Sequence, residues 1–193
     1  MTPAESPAAI TRALLESRAY AAGSHEEECR SRMLSLLAAR TDCFDRTCFD
    51  PGHFTASALV VSAEGGRVLL HHHAFLDRWL QFGGHCDGDG DLVRVALREA
   101  HEESGIEGLV VASRRPFDLD IHPIPANPKR GEPPHLHFDV RFMLIAPEQA
   151  RERASAESHA LAWFTAEEAR VVTSEPSMLR LFEKWQAIVA RRR

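Results

Sequence analysis

Apolar and polar residues follow two different periods along this chain, which predicts a mixture of helices and strands. Apolar residues at helical spacing predict helices over residues 8–20, after Ser24 and after Ser174. Capping boxes are predicted at Ser24 with Glu27 and at Thr165 with Glu168, the second opening a short helix. The inner side of the last helix is predicted to carry Met178, Leu181, Phe182, Trp185, Ile188 and Val189. Shorter runs of alternating or continuous apolar residues are typical of strands. Such runs cover residues 54–62, 66–72, 79–82, 109–113, 117–122, 135–144 and 160–164. The helical character of the start predicts an N-terminal extension over residues 1–50, and the strands predict a domain over residues 51–193.

The most informative segment is a glycine turn that leads into a helix bearing three glutamates. Gly83 and Gly84 follow the strand predicted over residues 79–82, and the helix carries Glu99, Glu102 and Glu103. Because each helical residue advances by about 100°, these carboxylates fall within an arc of about 100°. Carboxylates so close together repel one another unless a positive charge lies among them. Clustered oxygen ligands favour a hard ion such as Mg²⁺ or Mn²⁺.

A solvated helix face is the ordinary interpretation of such glutamates, and the surrounding residues argue against it. Asp91 is placed to cap the helix and Gly105 to end it. An apolar stripe on the same helix predicts docking on a core. This stripe consists of Leu92, Val93, Ala96, Leu97 and Ala100. The carboxylates are therefore predicted to lie beside the buried face of the helix, near the glycine turn.

The same segment, residues 84–106, resembles the Nudix box. The motif begins with a glycine, followed after five residues by a glutamate and after seven more residues by the pair Arg-Glu. The positions after Arg-Glu are an aliphatic residue, any residue, the pair Glu-Glu, any residue, a glycine and an aliphatic residue. The matching residues are Gly84, Arg98, Glu99, Glu102, Glu103, Gly105 and Ile106. Two positions depart from it, since Gly90 replaces the first glutamate and Ala100 replaces the aliphatic residue.

The resemblance implies an α/β/α sandwich with a mixed sheet and a Mg²⁺- or Mn²⁺-dependent hydrolase. Its substrates would contain a nucleoside diphosphate linked to another group. Carried over by position, the metal ligands are Glu99, Glu102, Glu103 and the backbone of Gly83. Glu99 or Glu102 would also orient or deprotonate the attacking water, and Arg98 would position a carboxylate by ion pairing. The first glutamate is generally the less critical acid of the motif, so Gly90 leaves the implied metal cluster intact.

A proline-rich connection, residues 123–134, precedes the most regular alternation in the chain. Over residues 135–144 apolar side chains are predicted on one face of a strand and polar side chains on the other. The polar face is either solvated or in contact with substrate, and the second interpretation assigns substrate binding to His135, His137 and Asp139. Because a base also comes from a distant loop in this family, Asp139, His137 and Glu132 are candidates for that role.

Composition and charge limit the class of protein. A net charge of −5 argues against a nucleic-acid-binding surface. The first residues include acids and no long apolar run, which predicts neither a signal peptide nor a membrane span. The four cysteines form no CxxC pair, which favours reduced thiols in the cytoplasm. The expected partner is a small-molecule diphosphate, and the N-terminal helices are expected to pack on their own domain or to form a homodimer.

Other clusters of polar residues carry different expectations. His71, His72 and His73 end a predicted strand and alternate between its faces, which predicts a surface or loop-edge role. His85 and Cys86 directly follow the glycine turn and are predicted at the rim of the pocket. The acidic run at residues 87–91 has the spacing of a calcium loop but lacks the glycine and the late glutamate that such a loop requires.

Two alternative functions stay open at this point. An isopentenyl diphosphate isomerase-like enzyme shares the fold and would use Cys86, but it is expected to disrupt the Arg-Glu and Glu-Glu pairs that are intact here. A non-catalytic Nudix ligand sensor is the second alternative. Regulators of that kind usually append a DNA-binding module, and only about thirty residues follow Phe164.

Overall fold

A computed structural model describes residues 5–156 and 158–191 of the chain. The helices in this part are α1 (Pro7–Glu16), α2 (His25–Ala39), α3 (Leu92–Ser104), α4 (Ala166–Val172) and α5 (Pro176–Ala190). The strands are β1 (Gly52–Val61), β2 (Val68–His73), β3 (Arg78–Leu80), β4 (Phe82–His85), β5 (Val110–Val111), β6 (Asp118–Ile124), β7 (His135–Ile145) and β8 (Ser158–Phe164). The mixed α/β fold with a curled, mixed sheet is confirmed. In the described part of the chain, every helix is too short or too polar to cross a bilayer.

Serine and threonine side chains begin three of the helices. The Ser24 side chain accepts the N–H of Glu27 at the start of α2, which is one of the two bonds of the capping box predicted there. The Glu27 carboxylate accepts bonds of 3.0 and 2.8 Å from the Arg30 guanidinium, so this cap takes a different form from the capping box at α4. At α4 the Thr165 and Glu168 side chains satisfy each other's backbone N–H groups, which confirms the predicted capping box.

Contacts within the chain group it into two compact units. The first unit contains residues up to Ala56, Gly84–Val95 and Ser113–Phe142. The second unit contains Ser57–Gly83, Ala96–Ala112 and the chain from Met143 onward. Strands β1 and β7 and helix α3 each contribute residues to both units.

In the first unit, β6 and β7 form a long antiparallel pair. The register runs from Asp118 opposite Arg141 to Ile124 opposite His135. Helix α2 packs on β6, and α1 packs on α2. Leu15 of α1 and Met33 of α2 are completely buried, so the apolar stripes predicted for these helices do face a core.

In the second unit, β2 has strands on both of its edges. It pairs antiparallel with β1 and β8 and, near its end, with β3. Strand β5 pairs antiparallel with the end of β7. Six apolar residues were predicted for the inner side of α5. Of these, Met178, Leu181, Phe182 and Trp185 are buried, whereas Ile188 and Val189 near the helix end are partly exposed. The Trp185 indole N–H donates to the Gly65 carbonyl at 2.9 Å, which ties α5 to the turn before β2.

Several boundaries differ from the sequence prediction. Helix α1 ends at Glu16 rather than at residue 20. The strand predicted over residues 79–82 is divided at Gln81, because β3 pairs with β2 whereas β4 pairs with β1. Strand β5 has only two residues, and Val110 within it is 61% exposed. The strand boundaries depend on which strand lies alongside, which the local pattern does not contain.

Candidate functional site

Helix α3 begins and ends as its sequence predicts. The Asp91 carboxylate accepts the backbone N–H of Arg94 at 3.2 Å, which caps the first turn. Gly105 has a φ of +66°, a left-handed conformation that glycine adopts without the penalty of a Cβ atom. Between these limits the helix carries the glutamate face, by which we mean Glu99, Glu102 and Glu103.

Glu103 is the most deeply buried member of the glutamate face. It is 4% exposed, and its carboxylate accepts the backbone N–H of Gly83 at 2.9 Å. The structure therefore brings together Gly83 and Glu103, which the sequence separates by twenty residues. A backbone donor at this distance stabilises the charged form of a carboxylate that has lost most of its water.

Arg98 holds the other two members of the face. Its guanidinium lies 2.8 Å from the Glu99 carboxylate and 3.7 Å from the Glu102 carboxylate. The side chain of Glu99 is 14% exposed and that of Glu102 is 57% exposed. The glutamate face thus runs from a buried carboxylate to a solvent-exposed one, and Arg98 keeps two like charges from repelling each other.

His71 belongs to the surroundings of Glu103, and its predicted surface role is wrong. It is 2% exposed, and its Nδ1 lies 3.8 Å from a Glu103 oxygen and 2.8 Å from the Ser158 hydroxyl. Burial lowers the pKa of His71 to about 4, so the ring is neutral at pH 7. The prediction failed because Phe82, with its ring centroid 5.2 Å away, and Glu103 of α3 pack on the side chain of His71, and the local pattern does not contain these contacts.

The departure at Gly90 has a steric cause. A Cβ atom at this position would lie 2.3 Å from the backbone of Pro7, at the start of α1. The Thr11 hydroxyl of α1 also donates to the Gly90 carbonyl at 2.9 Å. Helix α1 therefore occupies the space into which any side chain at position 90 would extend, and the glutamate of the motif does not fit here.

Cys86 is buried and its thiol donates a hydrogen bond to the backbone. It is 1% exposed, and its thiol donates to the Phe54 carbonyl at 3.2 Å. A thiol that is covered and hydrogen-bonded in this way lacks the exposed, electropositive surroundings of a reactive cysteine. The placement of Cys86 gives no support to the isomerase-like alternative.

The polar face of β7 is largely buried, which contradicts the first of its two interpretations, a solvated face. Arg141 is 2% exposed, and its guanidinium contacts the carboxylates of Asp139 at 2.7 Å, Asp120 at 2.9 Å and Asp118 at 3.4 Å. Asp139 also accepts a bond of 3.1 Å from the Thr55 hydroxyl. The attraction of these charges, together with their hydrogen bonds, offsets the cost of removing them from water.

The structure also assembles a group of imidazoles that the sequence did not predict. His53 of β1, His85 of β4 and His137 of β7 each offer a ring nitrogen, and these nitrogens lie within 4.8 Å of one another. We call these three residues the histidine cluster. His135 stacks on His53 with ring centroids 5.0 Å apart. No local spacing connects His53 with the other two, so only the pairing of strands could have revealed the cluster.

Similarity to known proteins agrees with the fold and with the placement of the box. The family model for the NUDIX domain matches residues 52–185. The "Probable DHNTP pyrophosphohydrolase" of Lactococcus lactis subsp. cremoris (strain MG1363) is 30% identical over 100 residues. The matched region covers 52% of this chain and 58% of that protein, so the chain spans little more than half of its relative's length.

Solved structures share the fold at low sequence identity. A C. elegans Ap4A hydrolase in a binary complex has a TM-score of 0.54 and 22% identity, covering 71% of this chain and 97% of that chain. The E. coli dihydroneopterin triphosphate pyrophosphohydrolase has a TM-score of 0.52 and 17% identity, covering 68% and 92%. Together with the domain match over more than half of the sequence, the glycine turn and the α3 glutamates establish that this chain belongs to the Nudix family.

Proposed function

We propose that this chain hydrolyses a phosphoanhydride bond in a compound that contains a nucleoside diphosphate linked to another group. The observation that carries this proposal is the burial of Glu103 against the backbone of Gly83, on the helix that also presents Glu99 and Glu102. A buried carboxylate is costly unless it is compensated. The Gly83 N–H supplies part of this compensation, and a divalent cation among these side chains would supply more while neutralising the charge of a bound diphosphate.

The donor atoms of the glutamate face suit Mg²⁺ or Mn²⁺. All three side chains offer oxygen, which hard cations prefer. Among residues 5–156 and 158–191, the three carboxylates do not form a group in which one oxygen from each lies within 4.8 Å of the others. Binding therefore requires the side chains to draw together, and the exposed Glu102 is the member with most freedom to move. We propose the Gly83 carbonyl as a further ligand.

The residues of the chain would divide the work of hydrolysis among them. When bound, the cation supplies charge neutralisation of the diphosphate and a lower pKa for water. Glu99 or Glu102 would orient that water and accept its proton. Arg98, at 2.8 Å from Glu99, would keep this carboxylate aimed rather than touch the substrate. The Gly83 N–H would hold Glu103 in its buried position.

The residues predicted to contact substrate are less well supported by their surroundings. Asp139 already accepts bonds from Arg141 and Thr55, which speaks against a role as general base. His135 is buried, and its Nδ1 contacts the Pro133 carbonyl at 2.8 Å, within the proline-rich connection. A substrate contact by His135 or His137, and a base at Glu132, stay predictions.

A screen of diphosphate compounds with Mg²⁺ tests the proposed reaction. The panel would contain nucleoside triphosphates, sugar nucleotides, dinucleoside polyphosphates and coenzymes. The name of the Lactococcus lactis relative adds dihydroneopterin triphosphate to it. We expect release of phosphate or pyrophosphate from at least one compound, abolished by a chelator and restored by Mg²⁺ or Mn²⁺. No release from any compound contradicts the proposal, and tight binding without release favours the ligand sensor.

The assignment of residues 1–50 as an extension of the hydrolase domain and the location in the cytoplasm stay predictions. So does a homodimer formed through the N-terminal helices. Sedimentation of the full chain tests the homodimer, since a monomer at all concentrations contradicts it.

A further inference from the structure

The histidine cluster has the geometry of a metal site. His53, His85 and His137 come from three different strands, and their ring nitrogens lie within 4.8 Å of one another. Nitrogens bound to one zinc ion at about 2.0–2.1 Å would be about 3.3 Å apart. The distances between the nitrogens therefore need to shorten by at most about 1.5 Å for the rings to share an ion.

His53 shows which of its nitrogens is available. Its Nδ1 lies 3.1 Å from the Cys48 carbonyl oxygen, which can only accept, so Nδ1 carries the proton. The lone pair is then on Nε2, which is buried and has no hydrogen-bond partner. A backbone carbonyl that fixes the tautomer of a histidine in this way is the usual outer contact of a metal-binding imidazole.

The other two rings lie directly against His53 and against each other. The ring centroid of His53 is 5.2 Å from that of His85 and 4.8 Å from that of His137. The centroids of His85 and His137 are 5.5 Å apart. The three imidazoles therefore surround one small space.

The donor set distinguishes this group from the glutamate face. Three nitrogens without a carboxylate suit zinc or a similar transition metal rather than Mg²⁺. Three histidine ligands also leave a coordination position open, as in catalytic zinc sites. His135 and His122 pack on His137 with ring centroids 5.3 and 5.6 Å away, and Asp120 holds the His122 ring at 3.1 Å.

We propose that His53, His85 and His137 bind one divalent transition-metal ion of the zinc class, separate in chemistry from the Mg²⁺ or Mn²⁺ of the glutamate face. In this arrangement His137 is a ligand rather than a direct contact to substrate. The site goes beyond the proposed hydrolysis, because it concerns other residues and another class of ion.

Zinc titration of the metal-free full-length protein in excess Mg²⁺, against a chromophoric chelator, tests this site. We expect one zinc ion per chain, with affinity at least about a hundredfold lower in His53→Gln, His85→Gln and His137→Gln. Zinc should also raise the unfolding temperature of the wild type and not that of these variants. Cobalt in place of zinc should give the intense visible bands of a nitrogen-bound, low-coordinate ion rather than the weak bands of an oxygen-bound octahedral one.

Two control variants keep the test specific. His101→Gln removes a half-exposed imidazole outside the cluster, and Glu103→Gln changes the glutamate face. Both should bind zinc like the wild type. Unchanged zinc affinity in all three cluster variants, or loss of zinc in Glu103→Gln alone, overturns the proposal. Because His85 is only partly buried, His85→Gln remains informative even if the substitution at His53 prevents folding.

Discussion

The glutamate face and the histidine cluster both place three ionisable side chains close together, but the two groups are stabilised differently. Each glutamate carboxylate has a positively polarised partner: Arg98 contacts two of them, a backbone N–H donates to the third, and exposure increases toward Glu102. The histidines lose their charge, because burial lowers the pKa of each member of the cluster. A charged face attracts a hard cation, whereas neutral nitrogens suit a softer one.

This difference shows that the donor atoms and their burial together determine which ion a group of side chains can bind. Partly exposed carboxylates can move toward an ion and remain solvated without it. The imidazoles pack against one another and are buried or partly buried, so their placement depends on tertiary packing. We therefore expect substitutions in the glutamate face to affect activity with little loss of stability, and substitutions in the interior of the first unit to affect stability first.

The largest loss of stability is expected at Arg141, where the first unit buries charged side chains rather than neutral imidazoles. Arg141 lies on β7, as does His137, and it contacts three buried carboxylates. Arg141→Met should lower the free energy of unfolding by about 3–5 kcal/mol, because removing one partner leaves buried charges uncompensated. Denaturant unfolding measures this.

The matched control is Arg30→Met, which breaks a partly exposed pair with Glu27 on α2. This change should cost less than about 1 kcal/mol. Equal costs for the two variants would show that the Arg141 contacts do not compensate buried charge.

Glu103→Gln tests the charged side of the comparison. We expect kcat/KM for the best substrate of the screen to fall at least about a hundredfold, because a neutral amide binds a divalent cation poorly. Affinity for Mn²⁺ should fall as well, which calorimetry measures. Glu107→Gln is the control, since that side chain is 88% exposed just beyond α3. Wild-type turnover and Mn²⁺ affinity in Glu103→Gln would remove this residue from the metal site.

Gly90→Ala tests whether α1 explains the departure from the motif. The new methyl group would meet the Pro7 backbone at 2.3 Å, so we expect a loss of about 1–3 kcal/mol from overpacking. Thermal unfolding measures the change. Gly66→Ala is a suitable control, because the nearest atoms to a methyl group there are flexible ones of Glu64 at 3.7 Å or more. An unchanged unfolding temperature in Gly90→Ala would mean that α1 can shift to make room for the methyl group at little cost.

Cys86→Ser should have the smallest effect. A hydroxyl can donate to the Phe54 carbonyl as the thiol does, so the expected loss of stability is below about 1.5 kcal/mol. Turnover of the screened substrate should be unchanged, as measured beside the wild type. Loss of turnover in a folded Cys86→Ser variant would instead point to chemistry at the thiol, as the isomerase-like alternative requires.

Local features of the sequence predicted much of the fold and, of the candidate site, the glutamate face. The α3 limits at Asp91 and Gly105, the capping box at Thr165 and the buried side of α5 all depend on neighbours within a few positions. The glutamate face is equally local, since its members lie within five residues of one another on one helix. The Nudix family followed from the same short segment and is confirmed by the domain match.

Only the tertiary structure decided which distant residues meet. It placed Gly83 beside Glu103, covered His71, and brought α1 over Gly90. It also assembled the histidine cluster from three strands and buried the polar face of β7 around Arg141. The physical reason is that a helical period reports neighbours along the chain, whereas strand pairing and burial depend on partners dozens of residues away. The sequence by itself therefore determined the carboxylates of the Nudix box, and the packing of the strands determined the imidazoles.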